Sequence, residues 1–349
     1  MTWSDLRGHA SIVDQFSARV ARGRLAGTFL FVGPAGVGKR TFAVKLAQAL
    51  LCPVNCEPRL DACGHCESCQ QVAAGSHPDL EVIAKPADKS FIPIELLIGD
   101  REHRMQEGLC HRIGLKPFCG GRKIAIIDDA DHLNLEGANC LLKTLEEPPP
   151  KSVLILIGTS EQRQLPTIRS RCQVVRFSRL SREDVVQLLL AGGHCSNREE
   201  AEPLAELGEG SIARALAWRD PSLREFRERL LTGLAERQGL GAELARECMA
   251  FIDEAGKETA DRRARLRLAL AMAAEFFRHV IRAVSRSPIE GDRVLAAAVR
   301  QAAASWSAGP EAAAACLERC LEAEAHVDAN AQPGVIVDSW LDDLATLQR

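Results

Sequence analysis

Tyrosine is absent from this 349-residue chain, and aromatic residues make up only 4% of it. So few rings argue against a single-stranded nucleic-acid binder that stacks bases on rows of aromatic side chains. The formal net charge is only -3, which excludes a uniformly basic DNA coat but leaves room for a local basic face.

Long hydrophobic runs are also missing, and no apolar stretch is long enough to span a bilayer. The first residues, Met1 to Asp5, lack the basic and apolar regions of a signal peptide, so we expect a cytoplasmic protein. The composition, 46% hydrophobic and 26% charged, is ordinary for a soluble protein, and the length predicts two or three domains.

The first half of the sequence alternates strand-like and helix-like segments, as expected of a parallel α/β sheet. The strand candidates are TFLFV (28–32), LEVIA (80–84), KIAII (123–127), VLILI (153–157) and QVVRF (173–177). From Ser181 onward the strand pattern disappears, and Ala, Leu, Glu and Arg recur at helical spacing. We predict an α/β domain over 1–178, a small helical lid over 179–218 and an all-α domain over 221–349.

The segment GPAGVGKRT (33–41), which we term the phosphate loop, follows the first strand candidate. Its glycines and lysine fit the Gly-x-x-x-x-Gly-Lys pattern, whose backbone N–H groups wrap a phosphate. Arg40 stands where that pattern requires the hydroxyl that holds Mg²⁺. Thr41 is one residue late, about 100° further around a helix. Either Thr41 serves through a shifted backbone, or Mg²⁺ is held poorly. The candidate nucleotide-binding residues here are Gly33, Gly36, Gly38, Lys39, Arg40 and Thr41.

A second nucleotide-site pattern is the apolar strand that ends in Asp128-Asp129. Asp128 is placed to hold Mg²⁺ directly or through water. Motor ATPases of the AAA+ class usually follow this residue with Glu, which positions the attacking water. Asp129 is one methylene shorter, and in-line attack is geometrically demanding, so we expect slow turnover.

Cysteines cluster between residues 52 and 69. Cys63, Cys66 and Cys69 form two consecutive Cys-x-x-Cys steps, which present three thiolates suited to tetrahedral Zn²⁺. Cys52 is the preferred fourth ligand, with Cys56 and then His65 as alternatives. Because every ligand position would be filled, we interpret the zinc as structural rather than catalytic. A redox dithiol would not need three evenly spaced cysteines.

Two further segments carry a family resemblance. LLKTLEEPP (141–149) and LPTIRSRC (165–172) resemble the clamp-loader branch of the AAA+ ATPases, and the likeness runs from Trp3 to about Leu216. It implies three domains: a nucleotide-binding-type α/β domain, a small helical lid and a helical collar that joins a five-subunit ring. It also implies that Arg171 is an arginine finger acting in trans on a neighbour's ATP, with Ser170 and Cys172 positioning it. Thr159 resembles the sensor position beside the γ-phosphate.

The resemblance also indicates whether this chain is a motor or a non-motor subunit. Motor subunits carry a lid arginine in a Gly-Ser-x-Arg pattern, but in GSIAR (210–214) the arginine, Arg214, is one residue late. With Arg40 and Asp129, that makes three departures in one nucleotide site, while the finger segment is whole. We therefore expect a non-motor subunit with weak or no ATPase activity.

The implied partners are a motor ATPase subunit of the gamma/tau type, a clamp-opening delta-type subunit, the sliding clamp and primed DNA. DNA would be held through its phosphates, without sequence readout. The alternative is an active gamma/tau-type ATPase of the same branch. A small-molecule P-loop kinase with a zinc insert does not explain the two segments at 141–149 and 165–172.

Overall fold

The computed structural model describes residues 3, 6–54, 60–86, 89–119, 121–236, 241–256, 258–289 and 291–348. The chain forms two compact units, divided between Leu216 and Ala217. The predicted boundaries at 178, 218 and 221 stay predictions. Within the described ranges, no helix combines the length and the apolar character needed to cross a membrane.

The first unit is built on a five-stranded parallel sheet in the order β2-β3-β4-β1-β5. The strands are β1 (Thr28–Val32), β2 (Leu80–Ile83), β3 (Lys123–Ile127), β4 (Ser152–Gly158) and β5 (Gln173–Arg176). The three central strands are almost entirely buried, because helices cover both faces of a parallel sheet, and this explains their uninterrupted apolar sequences.

Helices surround and follow this sheet. They are α1 (Ala10–Ala21), α2 (Lys39–Leu51), α3 (Glu67–Ala74), α4 (Ile94–Ile98), α5 (Gly108–Gly114), α6 (Leu135–Glu146), α7 (Pro166–Arg169), α8 (Arg182–Ala191), α9 (Arg198–Gly208) and α10 (Ile212–Ala217). Asn134 and Ser181 are of the residue types that the sequence favours as N-caps before helical segments, and both act as caps. Asn134 accepts a hydrogen bond from the N–H of Gly137, and Ser181 accepts one from the N–H of Asp184.

Alternate residues of β1 face two separate cores. Phe29 and Phe31 pack with Phe16 of α1 and Phe42 of α2 on one face. Leu30 belongs to the core on the other face, which includes residues of α6. The strand therefore fixes α2, and with it the phosphate loop, against the centre of the sheet.

The parallel sheet sorts the candidate residues onto two edges. At its carboxyl edge, β1 leads into the phosphate loop, β3 into Asp128 and β4 into Thr159. At its amino edge, Thr28 begins β1 and its hydroxyl donates a hydrogen bond of 2.8 Å to the carbonyl oxygen of Arg171, just before β5. The predicted nucleotide site and the predicted finger thus lie at opposite ends of the same strands.

The second unit is helical throughout its described residues. Its helices are α11 (Pro221–Ala235), α12 (Ala242–Asp253), α13 (Thr259–Val284), α14 (Arg293–Ser305), α15 (Gly309–Asp328) and α16 (Pro333–Leu347). The rings of Phe226 and Phe251 stack at 3.8 Å between centroids, and Trp340 is fully buried. The fold class expected from the sequence, an α/β phosphate-loop domain followed by a helical C-terminal region, is confirmed.

Candidate nucleotide site, finger turn and metal cluster

A cavity of about 290 Å³ opens at the carboxyl edge of the sheet. It brings together most of the residues predicted to bind nucleotide, with Asp128 and Asp129 in its wall. The predicted residues that line it are Gly36, Gly38, Lys39, Arg40, Thr41 and Thr159. Its size lies just below the roughly 300–1,000 Å³ typical of small-molecule sites.

Glycines shape the phosphate loop around this cavity. Gly36 and Gly38 have φ angles of 73° and 97°, in the left-handed region that favours glycine. A Cβ atom at Gly36 would lie 2.3 Å from the hydroxyl of Ser211. The carbonyl of Gly36 accepts a 3.0 Å hydrogen bond from the N–H of Ile212, and His9 Nε2 donates one of 2.7 Å to the carbonyl of Val37. The loop is thus braced on both sides in the curved form that accepts a phosphate.

Lys39 is held inside the loop. Its Nζ donates hydrogen bonds of 2.5 and 2.6 Å to the carbonyl oxygens of Gly33 and Pro34, and its side chain is buried. Burial lowers the pKa of Lys39, while the charges of Asp131 and Asp128 act in the opposite direction. The ammonium group therefore lies where it can meet a phosphate on the loop. The cradle and its lysine fit a nucleotide's phosphate chain.

Arg40 forms an ion pair with Asp128. Its Nη1 lies 3.4 Å from Asp128 Oδ2, with 62% of the Arg40 side chain and 17% of the Asp128 side chain exposed. Burial raises the pKa of Asp128, although the Asp129 N–H and the charges of Arg40 and Lys39 oppose that rise. The carboxylate expected to hold Mg²⁺ thus faces a guanidinium. With no hydroxyl at position 40, these residues fit Mg²⁺ poorly.

Thr159 lines the cavity, but its polar atoms are engaged. Its N–H and hydroxyl donate hydrogen bonds of 2.8 and 2.6 Å to Asp131 Oδ2. The side-chain amide of Gln164 donates to the other carboxylate oxygen of Asp131. Neither Asp131 nor Gln164 is among the site residues predicted from the sequence. Asp131 could have been found from the sequence, because it belongs to the acidic run after β3. Gln164 lies in no comparable sequence pattern.

The third departure from the motor pattern, Arg214, pairs with Glu209. Its Nη1 lies 3.0 Å from Glu209 Oε2, and the same carboxylate oxygen accepts a 2.9 Å hydrogen bond from Arg179. Ile212 is the residue of this segment that lines the cavity. The displaced arginine is therefore engaged with a neighbouring acidic side chain.

At the opposite edge, residues 166–172 form what we term the finger turn. Arg171 Nε donates a 2.6 Å hydrogen bond to Glu146 Oε1, and its Nη1 donates to the carbonyl of Thr167 at 3.0 Å and to the hydroxyl of Ser170 at 3.2 Å. The Arg171 side chain remains 31% exposed. Burial raises the pKa of Cys172 to about 12, so its thiol stays protonated. Glu146 lies in the 141–149 segment, but its contact with Arg171 was not foreseen.

Cys52, Cys63, Cys66 and Cys69 form a cluster that could hold a metal ion, with all four sulfur atoms within 4.8 Å of one another. The distances Cys52 Sγ to Cys66 Sγ and Cys63 Sγ to Cys69 Sγ are both 3.9 Å. Two thiolates at about 2.3 Å from one tetrahedral zinc ion would be about 3.8 Å apart. The cluster geometry therefore fits a four-coordinate metal.

Backbone N–H groups support these sulfur atoms. The N–H groups of Cys63, Cys66 and Cys69 point to the sulfur atoms of Cys52, Cys63 and Cys66 at 3.4–3.5 Å. The backbone of His65 lowers the pKa of Cys63 to about 6, which favours the thiolate form. The His65 ring instead donates to the carbonyl of Cys63 at 2.8 Å. Cys56, the alternative ligand, lies outside the described residues.

Comparisons with known proteins agree with the resemblance seen in the sequence. A family model described as "DNA polymerase III, delta subunit" matches residues 8–181. The DNA polymerase III subunit delta' of Pseudomonas aeruginosa is 33% identical over 213 residues, which cover 61% of this chain and 62% of that one. The subunit tau of Escherichia coli is 31% identical over 230 residues, covering 64% of this chain and 33% of that one.

One more sequence relative and one solved structure are also similar to this chain. The subunit delta' of Bacillus subtilis is 32% identical over 171 residues, covering 49% of this chain and 48% of that one. The matched region thus spans less than two thirds of each of these relatives. A solved gamma-subunit-related protein of Thermotoga maritima aligns with a TM-score of 0.43 and 16% identity, over 97% of this chain and 99% of that one. The family resemblance predicted from the sequence is confirmed: the chain belongs to the family of DNA polymerase III clamp-loader subunits.

Proposed function

We propose that this chain is a non-motor clamp-loader subunit of the delta-prime type. It helps to load the sliding clamp on primed DNA in the cytoplasm and supplies Arg171 to the ATP of a neighbouring gamma/tau-type motor subunit. The observation that carries this proposal is the separation of the two sites. Arg171 lies at the amino edge of the sheet, and the phosphate loop lies at the carboxyl edge.

The separation is too large for Arg171 to act on this chain's own nucleotide. The Arg171 carbonyl is hydrogen-bonded at the start of β1, and the phosphate loop begins after the fifth residue of that strand. At about 3.3 Å per residue, the two lie about 16 Å apart along the strand. A guanidinium must come within about 3 Å of the phosphoryl oxygens that it stabilises. Arg171 therefore serves a phosphate chain bound by another subunit.

The chain's own site supports the same division of labour. Asp128 is paired with Arg40, Asp129 is shorter than the usual glutamate, and Arg214 is engaged by Glu209. We propose that the site binds nucleotide and hydrolyses it slowly or not at all. The alternative, an active gamma/tau-type ATPase, is favoured by the tau relatives alone, and all three departures argue against it.

The remaining parts of the proposal follow from the resemblance and the cysteine cluster. The four clustered cysteines hold a structural zinc ion. Residues 1–178, 179–218 and 221–349 act as the nucleotide-binding-type domain, the lid and the collar of a hetero-oligomeric ring. On its other flank the chain contacts a clamp-opening delta-type subunit, and the assembled ring holds primed DNA through its phosphates.

ATP hydrolysis by the purified chain tests the proposal against the motor alternative. With Mg²⁺ and primed DNA present, we expect turnover well below that of the motor subunit of the same organism, also purified alone. The isolated motor subunit is the matched control, because neither chain then has a finger in trans and the difference reports each chain's own nucleotide site. ATP turnover by the isolated chain as fast as that of the isolated motor subunit would contradict the proposal and favour an active gamma/tau-type ATPase.

A further inference from the structure

We propose that the phosphate loop binds a nucleoside diphosphate or triphosphate without a divalent metal ion, and that the Arg40 guanidinium takes the place of that ion. This inference deepens the nucleotide site of the proposed function and rests on it. It is independent of Arg171, whose role is tested by separate measurements.

Mg²⁺ requires near-octahedral oxygen ligands, and phosphate-loop proteins supply them through a loop hydroxyl, a strand-end carboxylate, water and phosphate. Here the hydroxyl position is Arg40, and Asp128 Oδ2 is 3.4 Å from its Nη1. Asp131, the next carboxylate of the acidic run, accepts three hydrogen bonds from Thr159 and Gln164. The hydroxyl that an ion would use is thus missing at position 40, and the carboxylates of Asp128 and Asp131 are engaged.

The cavity offers two basic side chains to phosphates instead. Lys39 and Arg40 are neighbours at the start of α2, and both line the cavity. A guanidinium presents parallel N–H donors that match two oxygens of a phosphate, and it is less strongly hydrated than an ammonium. The Arg40 side chain is 62% exposed, so its pair with Asp128 is weak enough for a phosphate group to displace.

The Arg40 guanidinium differs from a magnesium ion in its charge and in its coordination. An arginine carries one positive charge where the ion carries two, and it cannot coordinate the β- and γ-phosphate oxygens in a common octahedral shell. It can therefore hold the phosphate chain without organising the transferring phosphoryl group. A nucleotide bound in this way remains intact. It also supports the loop, which the hydrogen bond from Ile212 to the carbonyl of Gly36 joins to the start of α10.

Calorimetric titration of the full-length protein with ADP, in excess EDTA and in excess MgCl₂, tests the inference. For the unaltered chain, we expect Mg²⁺ to change the dissociation constant by less than about threefold, since Arg40 occupies the position of the loop hydroxyl whether or not it stays paired with Asp128. Arg40→Ser removes the guanidinium, restores the hydroxyl and frees Asp128. It should bind ADP about tenfold more weakly in EDTA and regain that affinity with Mg²⁺. Arg22→Ser makes the same chemical change on an exposed residue after α1 and should match the unaltered chain.

Asp128→Asn gives a second test through the sign of its effect. At a magnesium-dependent site, loss of this carboxylate weakens nucleotide binding in the presence of the metal. Here it releases Arg40 and removes a negative charge near the phosphates, so ADP should bind more tightly in MgCl₂ as well as in EDTA. Three results would overturn the inference: no ADP binding by the folded chain, binding that requires Mg²⁺, or metal-free binding that Arg40→Ser leaves unchanged. None of them would alter the expected effect of Arg171 on a neighbour's ATPase.

Discussion

At the scale of single residues, Arg40 and Arg171 lie at opposite edges of the sheet. The sequence shows that Arg40 stands in place of a hydroxyl, but its pairing with Asp128 depends on how close β1 and β3 lie within the sheet. That spacing follows from the strand order, which no local pattern specifies. For the same reason, the sequence predicted Arg171 as a finger but missed Glu146, because the end of α6 and the start of β5 meet only in the folded unit.

Glu146 acts as a positioning residue for Arg171. Its carboxylate accepts the Nε hydrogen bond and also contacts Nη2. With Glu146→Ala, Arg171 keeps only its bonds to Thr167 and Ser170, so its position becomes less defined. We expect a several-fold lower kcat for the ATPase of the reconstituted ring, with the KM for ATP unchanged.

Glu147→Ala is the matched control, because Glu147 is the next residue, is also exposed and would carry the same loss of charge. Steady-state ATPase assays of the two rings separate the roles. Equal ATPase rates for the two variants would contradict a role of Glu146 in positioning Arg171. A change in KM alone would assign it to ring assembly or nucleotide affinity instead.

At the scale of elements, the cysteine cluster is tied to the helix that carries the phosphate loop. Gln48 of α2 donates a 2.9 Å hydrogen bond to the carbonyl of Cys69, and Ser68 donates one of 2.8 Å to the carbonyl of Leu51. Cys52 and Cys69 are buried in the core that also contains Phe42. A metal in this cluster would therefore fix the carboxyl end of α2.

Loss of the metal should destabilise the first unit. For Cys66→Ser, we expect less than one zinc per chain, and a lower thermal midpoint, because metal affinity contributes directly to folding free energy. Cys119→Ser is the control, since Cys119 is an exposed cysteine outside the cluster. Elemental analysis combined with thermal unfolding measures both quantities. One bound zinc and an unchanged midpoint in Cys66→Ser would contradict the assignment.

Elements with strong local signals were predictable. The apolar sequence of β1 and the cap residues Asn134 and Ser181 lie where the sequence placed them. The sequence of the alanine-rich segment 296–315 predicts two helices with a break at Gly309-Pro310. The two helices are present, but Gly309-Pro310 begins α15, and the break precedes it. The physical reason is that proline is tolerated in the first turn of a helix, where its missing N–H is not needed.

At the scale of the whole molecule, the helical unit contains a buried ion pair between α11 and the start of α14. Arg227 donates hydrogen bonds of 3.1 and 2.5 Å to the two carboxylate oxygens of Asp292, which also caps α14. The side chains are only 6% and 14% exposed. Burial raises the pKa of Asp292, but its hydrogen bonds and the charge of Arg227 outweigh this effect, so the pKa lies below its usual value.

A depressed carboxyl pKa makes this unit sensitive to acid. The stabilisation is complete above the unfolded-state pKa of about 3.9 and is lost as the pH falls through the lower folded-state pKa. Asp292→Asn should reduce the free energy of unfolding at pH 7 by about 3–5 kcal/mol, because it leaves Arg227 buried without its counter-charge. It should also flatten the acid branch of the stability profile.

Tryptophan fluorescence can follow this transition, since Trp218, Trp306 and Trp340 all lie in the second unit. Asp328→Asn provides the control, because its pair with Arg267 is 54% and 40% exposed and should contribute little. If both variants unfold at the same denaturant concentration and show the same pH profile, the buried pair does not stabilise the unit.

The central claim is that Arg171 activates the ATPase of a neighbouring subunit. The most direct measurement is the DNA-stimulated ATPase rate of the reconstituted ring, carrying either the unaltered chain, Arg171→Ala or Arg169→Ala. Arg169 is an exposed arginine on the adjacent helix α7 and serves as the matched control. We predict that Arg171→Ala lowers the rate attributable to the neighbouring site by about 10³-fold or more while ring assembly is unchanged. An assembled ring in which Arg171→Ala hydrolyses ATP as fast as Arg169→Ala would contradict the account.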